Sequence, residues 1–186
     1  VPACGPSRAS MLTGLRLTLS AFNLNAEDVE RPFTSLPRHF RDAGYHAVSL
    51  GKVFHNMHDC AEGWSEPPWR SQEIYHGEHD WARYNSYGLW RDPASGAHVN
   101  PANGRGPYYE AAEADESGYQ DAILAERAVE CLKGLAKRED PFFLAVGFWR
   151  PHLPFIAPKS DWDLYEHASL TLASVRERPP DFPACS

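Results

Sequence analysis

Cys4 and Arg8 are four residues apart in Cys4-Gly5-Pro6-Ser7-Arg8, the spacing that brings two side chains together over one helical turn. A thiol at a helix N-terminus meets backbone N–H groups and a dipole that favour negative charge, so Cys4 is a candidate nucleophile. For an arbitrary cysteine an incidental buried thiol is the commoner alternative. Two further groups stand where chemistry could gather. Lys52 and His55 follow the strand-like run from Tyr45 to Leu50, and His152 follows the run from Phe142 to Phe148. In open α/β sheets ligands collect beyond the carboxyl ends of strands. Taken singly, Lys52 reads more often as a solvated charge and His152 as a structural turn residue.

The elements that must position these residues are legible in outline. Pro6 suits a turn or first helical position, Ser7 can cap, and Gly14 can end a short helix. Thr34-Ser35 precede a helix-like stretch from Leu36 that stops at Gly44, before the strand ending at Gly51. Ser117-Gly118-Tyr119-Gln120 has the form of a capping box. After it, Ala125, Ala128, Val129, Leu132, Leu135 and Ala136 recur at helical spacing, with Lys133, Lys137 and Arg138 toward the C-terminal end. Asp140-Pro141 breaks this helix, and Phe142 to Phe148 reads as a buried strand of a parallel sheet. The alternation of helix and strand predicts an α/β layered fold. The span of 1–186 reads as part of one domain, with a long aromatic-rich loop region at about 56–116 that holds Trp64, Trp69, Trp81 and Trp90.

Bulk properties exclude some functions. A formal charge of −7 argues against a nucleic-acid footprint, although a local basic pocket can still serve an anionic substrate. No apolar run approaches the roughly 18 residues of a membrane span, and no secretory signal is visible at the N-terminus. Cys4, Cys60, Cys131 and Cys185 lack metal-type spacing. Cys131 lies in the long amphipathic helix and reads as a small core hydrophobe, whereas a Cys60–Cys185 pairing is left open. His55, His58, His76 and His79 match no standard transition-metal site.

The string Cys4-x-Pro6-Ser7-Arg8, continued by Leu12-Thr13-Gly14, resembles the signature of the formylglycine-dependent sulfatase family. Gly51-Lys52-Val53-Phe54-His55 is similar to a Gly-Lys-x-x-His segment of its iduronate-sulfatase-like subgroup. Pro141 to Phe148, with Pro151-His152-Leu153-Pro154-Phe155, is similar to the strand and Pro-His turn of the same proteins. The resemblance implies an alkaline-phosphatase-like α/β fold with a mostly parallel sheet flanked by helices. It implies that a formylglycine-generating enzyme converts Cys4 and that the hydrated aldehyde attacks a sulfate ester, a sugar sulfate or similar small ester. Arg8 and Lys52 would hold the diol, His55 would trigger its collapse, and His152 with Lys52 would contact the sulfate.

The same resemblance implies a divalent cation of the Ca²⁺ type, with formylglycine at position 4 among its ligands. The remaining acidic ligands are expected outside this chain, which reads as an internal fragment inactive by itself. Asp161 and Asp163 are too close to the Pro-His turn to take that role. An exported setting, whether periplasmic, extracellular or lysosomal, follows from the resemblance alone. Two alternatives stand beside it: a phosphonate or phosphate ester hydrolase of the same superfamily, and a non-catalytic relative that binds sulfated glycans through its loop tryptophans.

Overall fold

The computed structural model describes residues 3–15, 33–70, 109–112, 117, 119–152, 155–165, 169–172, 174–175 and 177. Helix α1 spans Cys4–Thr13 and α2 spans Leu36–Asp42. Strand β1, His46–Gly51, leads through a 3₁₀ turn at Ala61–Gly63. Strand β2 is Tyr109–Ala112, α3 is Gln120–Leu135, β3 is Phe142–Gly147, β4 is Phe155–Pro158, and the short α4 is Lys159–Trp162.

Strands β1 and β3 pair in parallel, from His46 opposite Phe142 to Gly51 opposite Gly147. Strands β2 and β4 form a second parallel pair, from Tyr109 opposite Phe155 to Ala112 opposite Pro158. The α/β class and the parallel pairing agree with the expectation. On its other edge, β1 bonds a passing segment: Trp69 N–H donates to the Ser49 carbonyl at 2.9 Å, and Gly51 N–H donates to the Trp69 carbonyl at 2.8 Å.

Flanked on both edges, β1 is the buried strand, and its side chains sort by the two-residue period of a pleat. Ala47 joins Ala9, Leu12, Val53, Phe54, Cys60 and Trp64 on one face, with Phe143 and Ala145 packed alongside. Val48 and Leu50 join Leu124 and Leu135 on the other, with Ala128, Cys131, Leu144 and Val146. Helix α1 therefore covers one face of the pair and α3 the other. Phe143 stacks on Phe40, ring centroids 4.4 Å apart, which ties α2 to the first of these layers.

Four expectations need correction. Ser7 does not cap; α1 begins at Cys4 itself after Ala3, and Ser7 N–H donates to the Ala3 carbonyl at 3.0 Å. No capping box opens α3, whose N-cap is Tyr119 without a side-chain bond. The buried stripe of α3 is Leu124, Ala128, Cys131 and Leu135, whereas Val129 and Leu132 are exposed. Both stripes have helical spacing, and packing against Val48, Leu50 and Leu144 selects the one that faces the sheet. Finally, β3 is half-buried along its length, because among the described residues only one of its edges is paired. The 3₁₀ turn and β2 also give regular structure to parts of the 56–116 region. Cys185, His76, His79, Trp81 and Trp90 lie outside the described residues, and with Cys185 the question of its pairing with Cys60.

The exit from β1 is tightly constrained. Gly51 adopts φ +73°, and a methyl group there would meet Leu124 Cδ2 at 2.6 Å. A left-handed conformation of this kind favours glycine. Across the pair, Lys52 N–H donates to the Gly147 carbonyl at 2.6 Å. A methyl group on Gly147 would overlap the Lys52 peptide and lie 2.6 Å from the Val53 nitrogen. Gly147→Ala should therefore destabilise the full-length protein by about 3 kcal/mol, read as a lower urea midpoint. An unchanged midpoint would show that this backbone contact yields freely.

Candidate active site

Helix α1 ends at Gly14, whose φ of +72° lets its N–H return to the Ser10 carbonyl. Its first residue is Cys4, so the thiol sits where the free backbone N–H groups of the helix gather. Cys4 Sγ lies 3.3 Å from His55 Nδ1. That contact joins residues 51 positions apart, and the turn out of β1 brings it about. The imidazole packs against the start of α1, where a methyl group on Gly5 would make ordinary van der Waals contact with His55 Cγ at 3.4 Å.

Lys52 is 2% exposed. Its ammonium stands 3.9 Å from the centroid of the Trp149 indole, a cation–π contact in a desolvated setting. Burial pulls the Lys52 pKa down to about 8; Arg8 and Arg70 add to the effect and Cys4 opposes it. The His55 pKa is also lowered, first by burial and then by Lys52, with Arg70 and His152 adding to this against the pull of Asp59. Both directions follow from removing charged forms from water near like charge. His55 is thereby biased toward the neutral imidazole, the form that can accept a proton.

Arg8 turns toward backbone. Its Nη1 donates to the Lys52 carbonyl and, at 2.9 Å, to the Val53 carbonyl. Burial lowers its pKa, with Cys4 opposing and Arg70 reinforcing the shift. Arg8, Lys52 and Arg70 thus bring three cationic groups into mutual electrostatic range beside Cys4, the potential an anionic substrate needs.

His152 is exposed at the rim. Its ring meets the edge of Trp149 at a centroid distance of 5.6 Å, and its N–H donates to the Trp149 carbonyl at 2.9 Å. Lys52 and His152 therefore lie against one indole. Asp121 anchors this turn from the first turn of α3. Its two carboxylate oxygens accept the N–H groups of Trp149 at 2.9 Å and Arg150 at 3.0 Å.

The structure thus gathers Cys4, Arg8, Lys52 and His55 directly and brings His152 to their rim through Trp149. Reading the sequence missed Arg70, Asp121 and Trp149. An acidic residue in a first helical turn was a visible but generic signal for Asp121. Arg70 had none, because its carbonyl partners lie 15 to 19 residues away without regular spacing.

Comparison with known proteins bears on this constellation. The family model described as Sulfatase matches residues 1–172. The chain belongs to the sulfatase family. It is 33% identical to human iduronate 2-sulfatase over 97% of this chain and 32% of that protein. It is 28% identical to an uncharacterized sulfatase, YidJ, of Escherichia coli K12 over 84% of this chain and 30% of that protein. With the choline-sulfatase of Rhizobium meliloti the identity is 26%, over 97% and 35% of the respective chains. The chain thus spans about a third of the length of the curated relatives it matches.

A family of this kind raises the question of a metal. Among the described residues, no group of three or more His, Cys, Asp or Glu side chains could hold one. Asp163, near the Pro-His turn, is engaged by Lys159. The described residues do not by themselves form a cation site. Nor is any described helix long and apolar enough to cross a membrane.

Proposed function

We propose that this chain carries the nucleophile and part of the sulfate pocket of a sulfuric ester hydrolase, with Cys4 converted to formylglycine. The observation that carries the reading is the 3.3 Å contact between Cys4 Sγ and His55 Nδ1, beside the buried Lys52 ammonium. In the mature protein oxygen replaces the Cys4 sulfur, and Cβ bears the two hydroxyls of the hydrated aldehyde.

One hydroxyl gives its proton to water as its oxygen attacks sulfur, and the sulfur–oxygen bond to the alcohol breaks. The departing alkoxide takes a proton, for which His152 at the rim is the candidate donor. Covalent catalysis of this kind divides one difficult displacement into two easier steps. His55 then accepts the proton of the second hydroxyl. Its oxygen forms the carbonyl as the carbon–oxygen bond to sulfate breaks, and water restores the diol. Lys52 offsets the charge that builds on the sulfate oxygens.

The family resemblance also carries a hard divalent cation of the Ca²⁺ type. The described residues offer it only position 4, so each step above rests on side chains of this chain. The substrate class we favour is a sugar sulfate or similarly small ester, in keeping with relatives named iduronate 2-sulfatase and choline-sulfatase, and the exported setting rests on the family resemblance alone. A formylglycine-generating enzyme is the required partner in maturation.

The test begins at Cys4. Full-length protein co-expressed with a formylglycine-generating enzyme should yield a Cys4 peptide whose mass shows sulfur replaced by oxygen as an aldehyde. An unmodified thiol under those conditions refutes the reading. Matched aryl sulfate and aryl phosphate esters then separate a sulfatase from a phosphate ester hydrolase, and faster sulfate turnover is expected.

A further inference from the structure

Arg70 is only 7% exposed, an unusual burial for arginine, and it reaches the same short segment that Arg8 reaches. Its Nε donates to the Gly51 carbonyl at 3.2 Å. Its Nη2 donates to the carbonyls of Phe54 at 2.9 Å and His55 at 3.0 Å. Arg8 takes the two carbonyls between them, those of Lys52 and Val53. Each carbonyl from Gly51 to His55 therefore accepts a hydrogen bond from one of two guanidinium groups.

We propose that Arg70 is a positioning residue which, together with Arg8, holds the Gly51–His55 segment so that Lys52 and His55 face position 4.

The physical case begins with the backbone. Beyond Gly51 the chain leaves the ladder of β1, and the following carbonyls lose the partners a strand supplies. Buried carbonyls must be satisfied, and five turned toward one region would repel one another without positive charge among them. Two guanidinium groups supply both the charge and the donors. Bonds of this type are stronger than neutral ones, and the planar fork of arginine presents several donors in fixed geometry.

The two arginines come from separate elements. Arg8 is one turn into the helix that begins with Cys4, so its hold links the nucleophile's own helix to the segment bearing the lysine and histidine. Arg70 follows Trp69, which is bonded to β1 through Ser49 and Gly51. The segment is thus gripped from α1 on one side and from the sheet edge on the other. Such placement has leverage, because a displacement of about 1 Å in a reacting group can cost about 100-fold in rate.

A lysine in place of Arg70 retains the charge but cannot bridge the three carbonyls of Gly51, Phe54 and His55. Geometry and charge are therefore separable by two substitutions.

This inference rests on the proposed roles of Lys52 and His55, and the test is arranged to distinguish the two failures. Arg70→Met and Arg70→Lys are made in the full-length protein, and turnover of an aryl sulfate is normalised to formylglycine content. Crystal structures of wild type and Arg70→Met are compared for the distance from His55 Nδ1 to residue 4. We expect kcat to fall about 100-fold in both variants with KM little changed, and His55 to lie about 1 Å farther from residue 4 in Arg70→Met. Arg70→Lys with wild-type kcat overturns the proposal. So does folded Arg70→Met with His55 unmoved, including the case in which only thermal stability is lost. Wild-type protein that carries formylglycine but leaves aryl sulfates intact refutes the sulfatase reading instead, while the crystallographic distance still decides the positioning role.

Discussion

Cys4→Ser in the full-length protein should lose at least about 10⁴-fold in steady-state sulfate ester turnover while becoming sulfated once per chain. The substituted hydroxyl sits at the first residue of α1, within the same reach of His55. It can attack sulfur and release the alcohol. The resulting ester has no second hydroxyl on the same carbon, so no proton removal by His55 can expel sulfate and regenerate a carbonyl. The first half of the reaction survives and the second does not. Intact-protein mass spectrometry after incubation with substrate would show the added sulfate, and a steady-state assay would show the arrest. Sustained turnover by this variant would refute both the nucleophile assignment and the need for formylglycine.

Lys52→Met separates the pocket's chemistry from its stability. The ammonium is buried beneath Trp149, and loss of one such charge-stabilising donor costs about 100- to 1,000-fold in rate. Methionine is unbranched and of similar length, so it should fill the site against the indole. Because burial and neighbouring cations work against the charge, the folded protein should be no less stable, and a melting curve checks that. Activity falls while stability holds or rises. A fall in both would mean that Lys52 is chiefly structural.

The same lysine sets an expectation for pH. Its pKa is pulled down to about 8, and an amine is charged below its pKa. Cys4 is the group that holds this pKa up, so with formylglycine in its place kcat/KM should decline at or below about pH 8, where free enzyme loses the ammonium. The acid limb belongs to His55, which must be neutral to accept a proton. With its pKa lowered, that limb should lie below the ordinary imidazole range of about 6.5. In Lys52→Met the alkaline decline should disappear from the residual activity. A wild-type profile flat through pH 8 would sink the role given to the ammonium.

How much of this site was legible depended on the range of the interactions involved. The end of α1 at Gly14 and the β1 strand ending at Gly51 are local matters of left-handed glycine geometry and short-range pattern, and could be read along the chain to within a residue or two. The start of α1 at Cys4, which has no side-chain cap, could not. The stripe of α3 could not be chosen from spacing alone. Ala125–Val129–Leu132–Ala136 and Leu124–Ala128–Cys131–Leu135 have the same period, and contact with Val48, Leu50 and Leu144 decides between them. The capping box failed for a similar reason. A Ser-x-x-Gln string permits such a cap, but α3 starts at Gln120, and Asp121 in its first turn is engaged by the turn after β3.

By itself the sequence named the candidate groups. Cys4 and Arg8 stand in one short motif, whereas Lys52, His55 and His152 were singled out by the resemblance of their segments to the sulfatase family. Only the tertiary structure decided how those groups are arranged. It turned Arg8 onto the carbonyls of Lys52 and Val53, added Arg70 to the same segment, and placed Lys52 and His152 against Trp149. Those relations join residues that are far apart along the chain, through backbone atoms that every residue carries. Hydrogen bonds to a carbonyl leave no mark on the identity of the residue that accepts them.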